Sequence, residues 1–210
     1  MTPLETLGFA LGTSFASGLN LYATVAAAGL LQRLGVIQLP GELQVLATPM
    51  VLGVAVVLFL VEFVADKIPL VDSAWDAVHT FVRPPAAALL AYSAFGSIPE
   101  GWQISAALLA GSVALTAHGA KASTRAAANT SPEPLSNWLL SFGEDAVAIS
   151  LTWLASTYPL LAAGIVIVLV ILAVMVIWKL ARVVRRMGEW LRGKRGPPET
   201  AGSAPPVAGP

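Results

Sequence analysis

Seven ionisable side chains lie between residues 62 and 83, inside a sequence that is otherwise mostly apolar. They are Glu62, Asp66, Lys67, Asp72, Asp76, His79 and Arg83. Carboxylates at such density bind cations or carry protons, and ionisable groups in apolar helices usually face a bundle interior or an aqueous path. If the cation is a metal ion, Asp66, Asp72 and Asp76 are its candidate ligands.

A second stripe, later in the chain, carries the opposite charge. Its members recur at i, i+3, i+7 and i+11 on one helical face: His118, Lys121, Arg125 and Asn129. Glu62 and Asp66 lie near the end of an apolar segment, where the helix dipole disfavours anions. We therefore predict that the two stripes meet. Lys121, Arg125 and Arg83 then act as counter-charges, and His79 or His118 relays a proton near neutral pH.

Three further polar residues belong to the candidate site. Asn20 ends a run of small and polar residues, Gly12–Asn20, that interrupts an apolar segment. Glu144 and Asp145 follow Ser141 in a pattern typical of a capping box, which predicts the start of a helix there. Helix capping alone explains these two carboxylates as well as ligand binding does.

Each charged stripe also has an interpretation without a binding site. Residues 71–83 have the pattern of an amphipathic helix whose carboxylates face water at the membrane surface. The basic stripe is then a helix end whose long side chains reach the lipid headgroups.

Alternatively, Asp72 and Asp76 hold Mg²⁺ through substrate phosphates, as an intramembrane enzyme requires. The sequence contains no nucleophile motif or P-loop, so no catalytic residue is assigned.

The composition indicates an integral membrane protein. Of the 210 residues, 56% are hydrophobic and 11% charged, and the mean hydropathy is +0.75. The formal net charge is zero, but seven of the twelve Lys and Arg residues lie between Lys179 and Arg195. That cluster predicts a cytoplasmic C-terminus at the inner membrane, with anionic lipid and not nucleic acid as its partner. The lack of cysteine excludes disulfides and thiolate metal sites.

The hydropathy pattern predicts an all-α fold with about five or six membrane helices, some of them broken or re-entrant. The first helix, residues 4–34, is expected to break within Gly12–Asn20, with Ser17 as the N-cap of its second half. Uninterrupted spans are predicted for residues 45–66, 102–128 and 160–182, of which the last is the longest.

A capping box and a pair of prolines set the expected ends of the elements between these spans. Ser73 and Asp76 form the capping box of an amphipathic helix, residues 71–83. The two prolines that follow are expected to force Arg83 out of helical geometry. Residues 86–95 are then too few to cross a bilayer, which predicts a re-entrant hairpin or a distorted helix.

The chain divides into three parts by composition. Residues 1–182 form a single transmembrane domain, residues 183–195 a basic juxtamembrane segment, and residues 196–210 a disordered tail that cannot bury a core. Similar short motifs at residues 14–18 and 141–145 each precede an apolar stretch. This similarity suggests an inverted pseudo-repeat of the kind that many transporters contain.

Three blocks of the sequence carry a family resemblance. They are Ser17-Gly18-Leu19-Asn20-Leu21-Tyr22, the stretch from Glu62 to Pro84, and the stretch from Ala117 to Asn137. Together they resemble the domain of unknown function 4126 family of bacterial membrane proteins, over roughly residues 4–180. The resemblance implies a small polytopic inner-membrane protein and assigns no reaction to it. Asn137, at the end of the third block, joins the candidate ligands.

We predict that the chain transports a small ion or polar solute, or lets it permeate, through the charged site. An enzyme acting on a phosphorylated lipid is the alternative, and a scaffold whose charges merely pair is another. No cofactor is expected. The expected partners are the lipid bilayer, the transported ion or solute and, as a further option, a second copy of the chain.

Overall fold

Helices make up the part of the chain that the structure describes. The computed structural model describes residues 1–96, 98–129 and 134–194, in which seven α-helices, one 3₁₀ helix and no strand occur. The α-helices are α1 (Pro3–Leu19), α2 (Leu21–Arg33), α3 (Pro49–Ala65), α4 (Pro69–Ala94), α5 (Glu100–Ala128), α6 (Pro134–Thr157) and α7 (Pro159–Lys194), and the 3₁₀ helix is Gly41–Ala47. The predicted all-α class is confirmed. The tail at residues 196–210 lies outside the described residues.

The predicted break in the first helix is confirmed, and it falls at Asn20. The backbone of Asn20 is extended, and its Oδ1 accepts a hydrogen bond from the N–H of Ala23 at 2.9 Å. Asn20 is therefore the N-cap of α2, as its short polar side chain favours. The assignment of that cap to Ser17 is wrong, because Ser17 lies fully buried within α1.

A single long helix, α4, replaces the two elements predicted for residues 71–83 and 86–95. It runs through both Pro84 and Pro85, so Arg83 remains helical and its expected displacement is wrong. A proline in a helix removes one N–H donor but keeps a helical φ angle. Helices in apolar surroundings tolerate this loss where neighbouring elements satisfy the freed carbonyls.

Both predicted capping boxes are wrong. α4 begins at Pro69, and its N-cap residue, Ile68, makes no side-chain capping hydrogen bond. Ser73 and Asp76 therefore lie inside the helix. α6 likewise runs through Ser141 without a break, so the motifs at residues 14–18 and 141–145 both lie within helices and do not support a repeat. Proline at the first helical turn sets these boundaries, since its fixed φ suits that position.

The helices at the other predicted spans are close to their predicted bounds. α5 covers residues 102–128, and α7 covers residues 160–182 and continues to Lys194. The span predicted for residues 45–66 begins later, at Pro49, because the 3₁₀ helix precedes it at a bend of 70°. Within the described residues, α7 is the one helix that is long and apolar enough by itself to cross a membrane. The 3₁₀ helix and α3 reach that length and hydropathy only when the bent pair is taken as one span.

The helix α1 is the central element, in contact with α4, α5, α6 and α7. Its small residues allow this close approach. A Cβ added at Gly12 would clash with Ala155 of α6, and one added at Gly18 would clash with the Ala114 carbonyl of α5. Glycine on these faces lets two backbones approach, as is common between helices in membranes.

Gly18→Ala is expected to lower the free energy of unfolding by about 1–3 kcal/mol, since the added methyl group has no space against α5. Denaturation of the purified protein in detergent, followed by helix content, measures the change. Gly164→Ala in α7 is the matched control, because no atom lies within 4 Å of its added Cβ. An equal loss in both variants would contradict the close α1–α5 contact.

Candidate functional site

The acidic and basic stripes meet inside the helix bundle, as predicted. Eight charged side chains form one connected set, called here the charged network: Glu62, Asp66, Asp72, Asp76, Arg83, Lys121, Arg125 and Glu144. They come from α3, α4, α5 and α6, and all but Glu144 are at least nine-tenths buried. Isolated charges at such depth are very costly, so mutual pairing is required to hold them there.

Glu62 lies at the centre of the charged network. One carboxylate oxygen, Oε1, accepts from Arg83 Nη2 at 2.6 Å and lies 3.4 Å from Lys121 Nζ. Lys121 Nζ is also 3.1 Å from Asp66 Oδ2 and 3.5 Å from Glu144 Oε2. The ammonium group thus lies between three carboxylates on two helices and can shift among them without leaving the network.

Arg125 joins α3 to α6. Its Nη2 donates to Asp66 Oδ2 at 2.9 Å and to Glu144 Oε2 at 2.7 Å, and its Nε donates to Glu144 Oε1 at 3.3 Å. The two bonds to Glu144 form the fork-shaped pairing that guanidinium geometry favours. Glu144 therefore has a role in the site, and helix capping does not explain its position.

Helix C-termini supply further acceptors for the three cations. The last carbonyls of α1 do so, since Gly18 O accepts from Arg83 Nη1 and Leu19 O from Lys121 Nζ, each at 3.1 Å. The carbonyl of Asp66, just after α3, accepts from Arg125 Nη1 at 2.8 Å. Helix C-termini carry partial negative charge, so the break at Asn20 places a cation-stabilising end inside the bundle.

His118 is neutral, with its proton on Nε2. Its Nδ1 lies 2.6 Å from Arg83 Nη1, and because a guanidinium group only donates, Nδ1 must accept. Nε2 then donates to the carbonyl of Asp76 at 3.0 Å and to Thr80 Oγ1 at 2.9 Å. His118 thus anchors Arg83 to α5 and α4. Sequence analysis missed Thr80, which lies one turn from Asp76.

His79 lies beside the charged network and makes no ion pair with the residues described. Its Nδ1 is 2.8 Å from the carbonyl of Trp75, which only accepts, so the proton is on Nδ1. Its Nε2 then accepts from the hydroxyl of Tyr22 at 3.1 Å, and its ring stacks on Trp75. Tyr22 was not predicted, although it directly follows the Asn20-Leu21 pair at the helix break.

Lys67 points away from the charged network. Its ammonium group donates to the carbonyl of Phe63 at 2.7 Å and lies 3.0 Å from the centroid of that ring, with Phe142 at 5.0 Å. Contact with aromatic faces stabilises a cation. Among the described residues, Lys67 therefore forms no ion pair with Glu62 or Asp66.

The asparagines extend the site at both ends. Asn20 Nδ2 donates to Asp145 Oδ1 at 2.8 Å, which connects the helix break to α6. Asn129 Nδ2 donates to Asp72 Oδ2 at 3.1 Å, and Asn137 Nδ2 donates to Asn129 Oδ1 at 2.6 Å. The structure thus brings most of the predicted site residues into one connected set of ion pairs and hydrogen bonds. Lys67 and His79 lie outside it, and Asn20 and Asp145 form a separate pair beside it.

Carboxylates outnumber cations in the charged network by five to three, and Asp145 adds another carboxylate beside it. Several buried carboxylate oxygens accept no hydrogen bond from any described residue: Glu62 Oε2, Asp66 Oδ1, Asp72 Oδ1, Asp76 Oδ1 and Asp145 Oδ2. Buried anions need protons or cations to neutralise them. The site therefore has unused capacity for positive charge.

A cavity of about 240 Å³ adjoins this excess of negative charge, between α4 and α5. Its polar lining includes Asp72, Asp76, Thr80 and Arg125. No group of three carboxylate or imidazole side chains is placed to share a metal ion within residues 1–96, 98–129 and 134–194. Asp66, Asp72 and Asp76, the candidate metal ligands, thus stand in ion pairs instead of forming a three-ligand cluster.

Asn20→Asp is expected to destabilise the protein, although aspartate is as good an N-cap as asparagine. The new carboxylate would face Asp145, its partner at 2.8 Å, so two anions would meet in a buried place. Unfolding in detergent at neutral pH measures the loss. Adding Asp145→Asn is expected to restore stability, and a double variant as unstable as Asn20→Asp would contradict this pairing.

The helices and buried charges define an all-α protein with an ion-pair network at its core. The sequence profile of the domain of unknown function (DUF4126) family matches residues 7–179, and the chain belongs to this family. The family resemblance drawn from the three sequence blocks is thereby confirmed. Neither the curated proteins nor the solved structures give a significant match.

Proposed function

We propose that the protein crosses the membrane several times, with the charged network inside the bundle. The distribution of side chains supports this proposal, because charged groups lie inside while large apolar groups lie outside. Phe81 of α4 is 81% exposed and Leu108 of α5 is 70% exposed, whereas Arg83 is 0% exposed. Extensive exposed apolar surface marks contact with a lipid or protein partner. A bilayer would cover this surface.

The C-terminal half of α7 supports one orientation. Trp178, Lys179 and Arg182 follow its apolar stretch, and the Arg182 guanidinium lies 3.5 Å from the ring of Trp178. Aromatic and basic residues of this kind anchor helix ends at an interface. We place the C-terminus in the cytoplasm and the protein in the inner membrane, with the basic segment against anionic lipid.

We propose further that the protein transports a small ion or polar solute through the charged network. The observation that carries this proposal is the excess of buried carboxylates over cations, beside a cavity that Asp72 and Asp76 line. A network used only as a scaffold would have every charged atom paired. Here an incoming positive charge has buried carboxylate oxygens to bind that accept no hydrogen bond from the described residues.

The broken helix suggests how such a charge moves. Lys121 contacts the end of α1 and carboxylates of α3 and α6, so a cation that neutralises one carboxylate frees Lys121 to bind another. Transporters commonly place discontinuous helix ends at their ion sites. In this mechanism Lys121 and Arg83 hold the unloaded state, and the cation takes their place at an acidic group.

The lipid-enzyme alternative is less well supported. A phosphate would need free donors on Lys121 and Arg125, but both are at least 97% buried and bound to Asp66 and Glu144. Asp72, Asp76 and Arg125 line the cavity, so Mg²⁺ has ligands there, but the arginine is already bound to Asp66 and Glu144.

Reconstituted liposomes test the proposed transport. We expect the protein to admit at least one of a panel of small cations and polar solutes faster than protein-free liposomes, with saturation at high concentration. Measurements at two pH values separate proton-coupled transport from simple permeation. Uptake equal to that of protein-free liposomes for the whole panel would overturn the proposal.

A further inference from the structure

The cavity between α4 and α5 is lined by two buried carboxylates of the charged network that form no ion pair shorter than 3.5 Å with the described residues. Asp72 Oδ1 lies 3.5 Å from Arg125 Nη1, and Asp76 Oδ1 lies 3.6 Å from Arg83 Nη1. The pairs formed by Glu62 and Glu144 close to 2.6 and 2.7 Å. Asp72 and Asp76 therefore hold their arginines at a separation too long for a hydrogen bond.

Both residues line the cavity, and each has one buried carboxylate oxygen that accepts no hydrogen bond from the described residues. Asp72 is 0% and Asp76 5% exposed, and in each the oxygen is Oδ1. A buried anionic oxygen without a donor is costly. A cation drawn from the cavity to these oxygens would relieve that cost.

The other donors around the cavity are also oxygen atoms. Thr80 contributes its hydroxyl group, and its carbonyl has lost the usual helical donor because Pro84 has no N–H. Hard alkali and alkaline-earth cations prefer carboxylate, hydroxyl and carbonyl oxygens. The cavity lining contains no cysteine, methionine or histidine among its described residues, which argues against a soft metal.

The charge of the cavity favours a monovalent ion. Arg125 lines it, and Arg83 lies near Asp76, so the two carboxylates are already partly compensated. Ca²⁺ takes six to eight oxygen ligands, several of them carboxylates, and no third carboxylate joins Asp72 and Asp76 here. We propose that the cavity binds a monovalent alkali cation through Asp72 and Asp76. This inference rests on the proposed transport function and names its substrate class.

Thermal unfolding of the purified full chain in detergent tests the site with Na⁺ as the probe. Choline chloride keeps the ionic strength constant while NaCl replaces it. A ligand that binds only the folded state raises the unfolding midpoint with concentration. We expect the midpoint of the unmodified chain to rise as NaCl replaces choline chloride, and to rise no further with MgCl₂ or CaCl₂ at equal ionic strength.

Two variants locate the effect. Asp72→Asn and Asp76→Asn keep the side-chain shape and remove the charge, and each is expected to lose the response to Na⁺ while remaining helical. Glu100→Gln, which removes an exposed carboxylate, is expected to keep the response. The proposal is overturned if the unmodified chain melts alike in NaCl and choline chloride, if divalent cations stabilise it more, or if either aspartate variant responds normally.

The binding measurement needs no membrane gradient, so its failure is distinct from failure of transport. Na⁺ binding without uptake in liposomes would support the cavity site and overturn the proposed transport. Uptake without Na⁺ binding would support the proposed transport and overturn the cavity site, because the transported species would then not be Na⁺.

Discussion

Arg83→Met is expected to lower the free energy of unfolding by about 3–5 kcal/mol, the cost of leaving one member of a buried ion pair alone. Arg83 is 0% exposed, and its Nη2 donates to Glu62 at 2.6 Å. Without it, the carbonyl of Gly18 and Nδ1 of His118 also lose a donor. Unfolding by denaturant in detergent gives the change directly.

A double variant distinguishes loss of the buried ion pair from general disruption of the fold. Arg83→Met combined with Glu62→Met replaces the pair by two apolar side chains, which is often close to neutral for stability. We expect the double variant to be more stable than Arg83→Met alone. Arg185→Met, an exposed arginine of α7, serves as control and is expected to change little. Additive losses in the double variant would contradict the pair.

Asp66→Asn is expected to reduce cation-dependent uptake in liposomes by about tenfold or more, which corresponds to about 1.4 kcal/mol. Oδ2 of Asp66 accepts from both Lys121 and Arg125, at 3.1 and 2.9 Å. Removing this negative charge reduces the excess of carboxylates over cations in the charged network, so the site attracts an incoming cation less strongly. The initial rate of uptake measures the effect.

The folded state of Asp66→Asn needs its own control. Helix content and elution from a sizing column are expected to match those of the unmodified protein, because the amide oxygen still accepts one hydrogen bond. Glu100→Gln, an exposed change of the same type, is expected to transport normally. Normal uptake by a folded Asp66→Asn protein would contradict a role for the charged network in transport.

The long-range pairing of the two stripes was predictable from the sequence because charge buried in apolar helices must be neutralised. Helical spacing put Lys121 and Arg125 on one face, and Glu62 and Asp66 lay at a helix end where the dipole disfavours anions. These patterns predicted that the acidic and basic side chains meet, but not which carboxylate pairs with which cation. Which oxygen faces which nitrogen depends on tertiary packing, which spacing alone does not determine.

The proline pair in α4 was misread because the steric rule for residues before proline was applied as if it were decisive. That rule is a local preference, and packing against α5 overrides it here. Gly111 of α5 lies close to the Pro84 carbonyl, so α5 packs tightly against this part of α4. The same error split one helix into two elements.

The two side chains left outside the charged network show another limit of pattern reading. Lys67 and His79 lie at helical positions that suited the acidic stripe, but aromatic side chains hold them instead. Phe63 and Trp75, each four residues earlier, are joined by rings from other segments. Phe142 of α6 reaches Lys67, and Tyr22 of α2 reaches His79. Contacts between distant segments of this kind leave no spacing signal in the sequence.

The location of the charged network within the bilayer is tested most directly by spin labels on its outer face. The chain has no cysteine, so one introduced thiol gives a unique label. Phe81→Cys and Leu115→Cys place labels on exposed apolar positions near the level of Arg83 and His118. In lipid vesicles we predict that these labels collide readily with oxygen and rarely with a water-soluble nickel complex. A label at position 185 should behave oppositely, and free access of nickel at positions 81 and 115 would contradict the account.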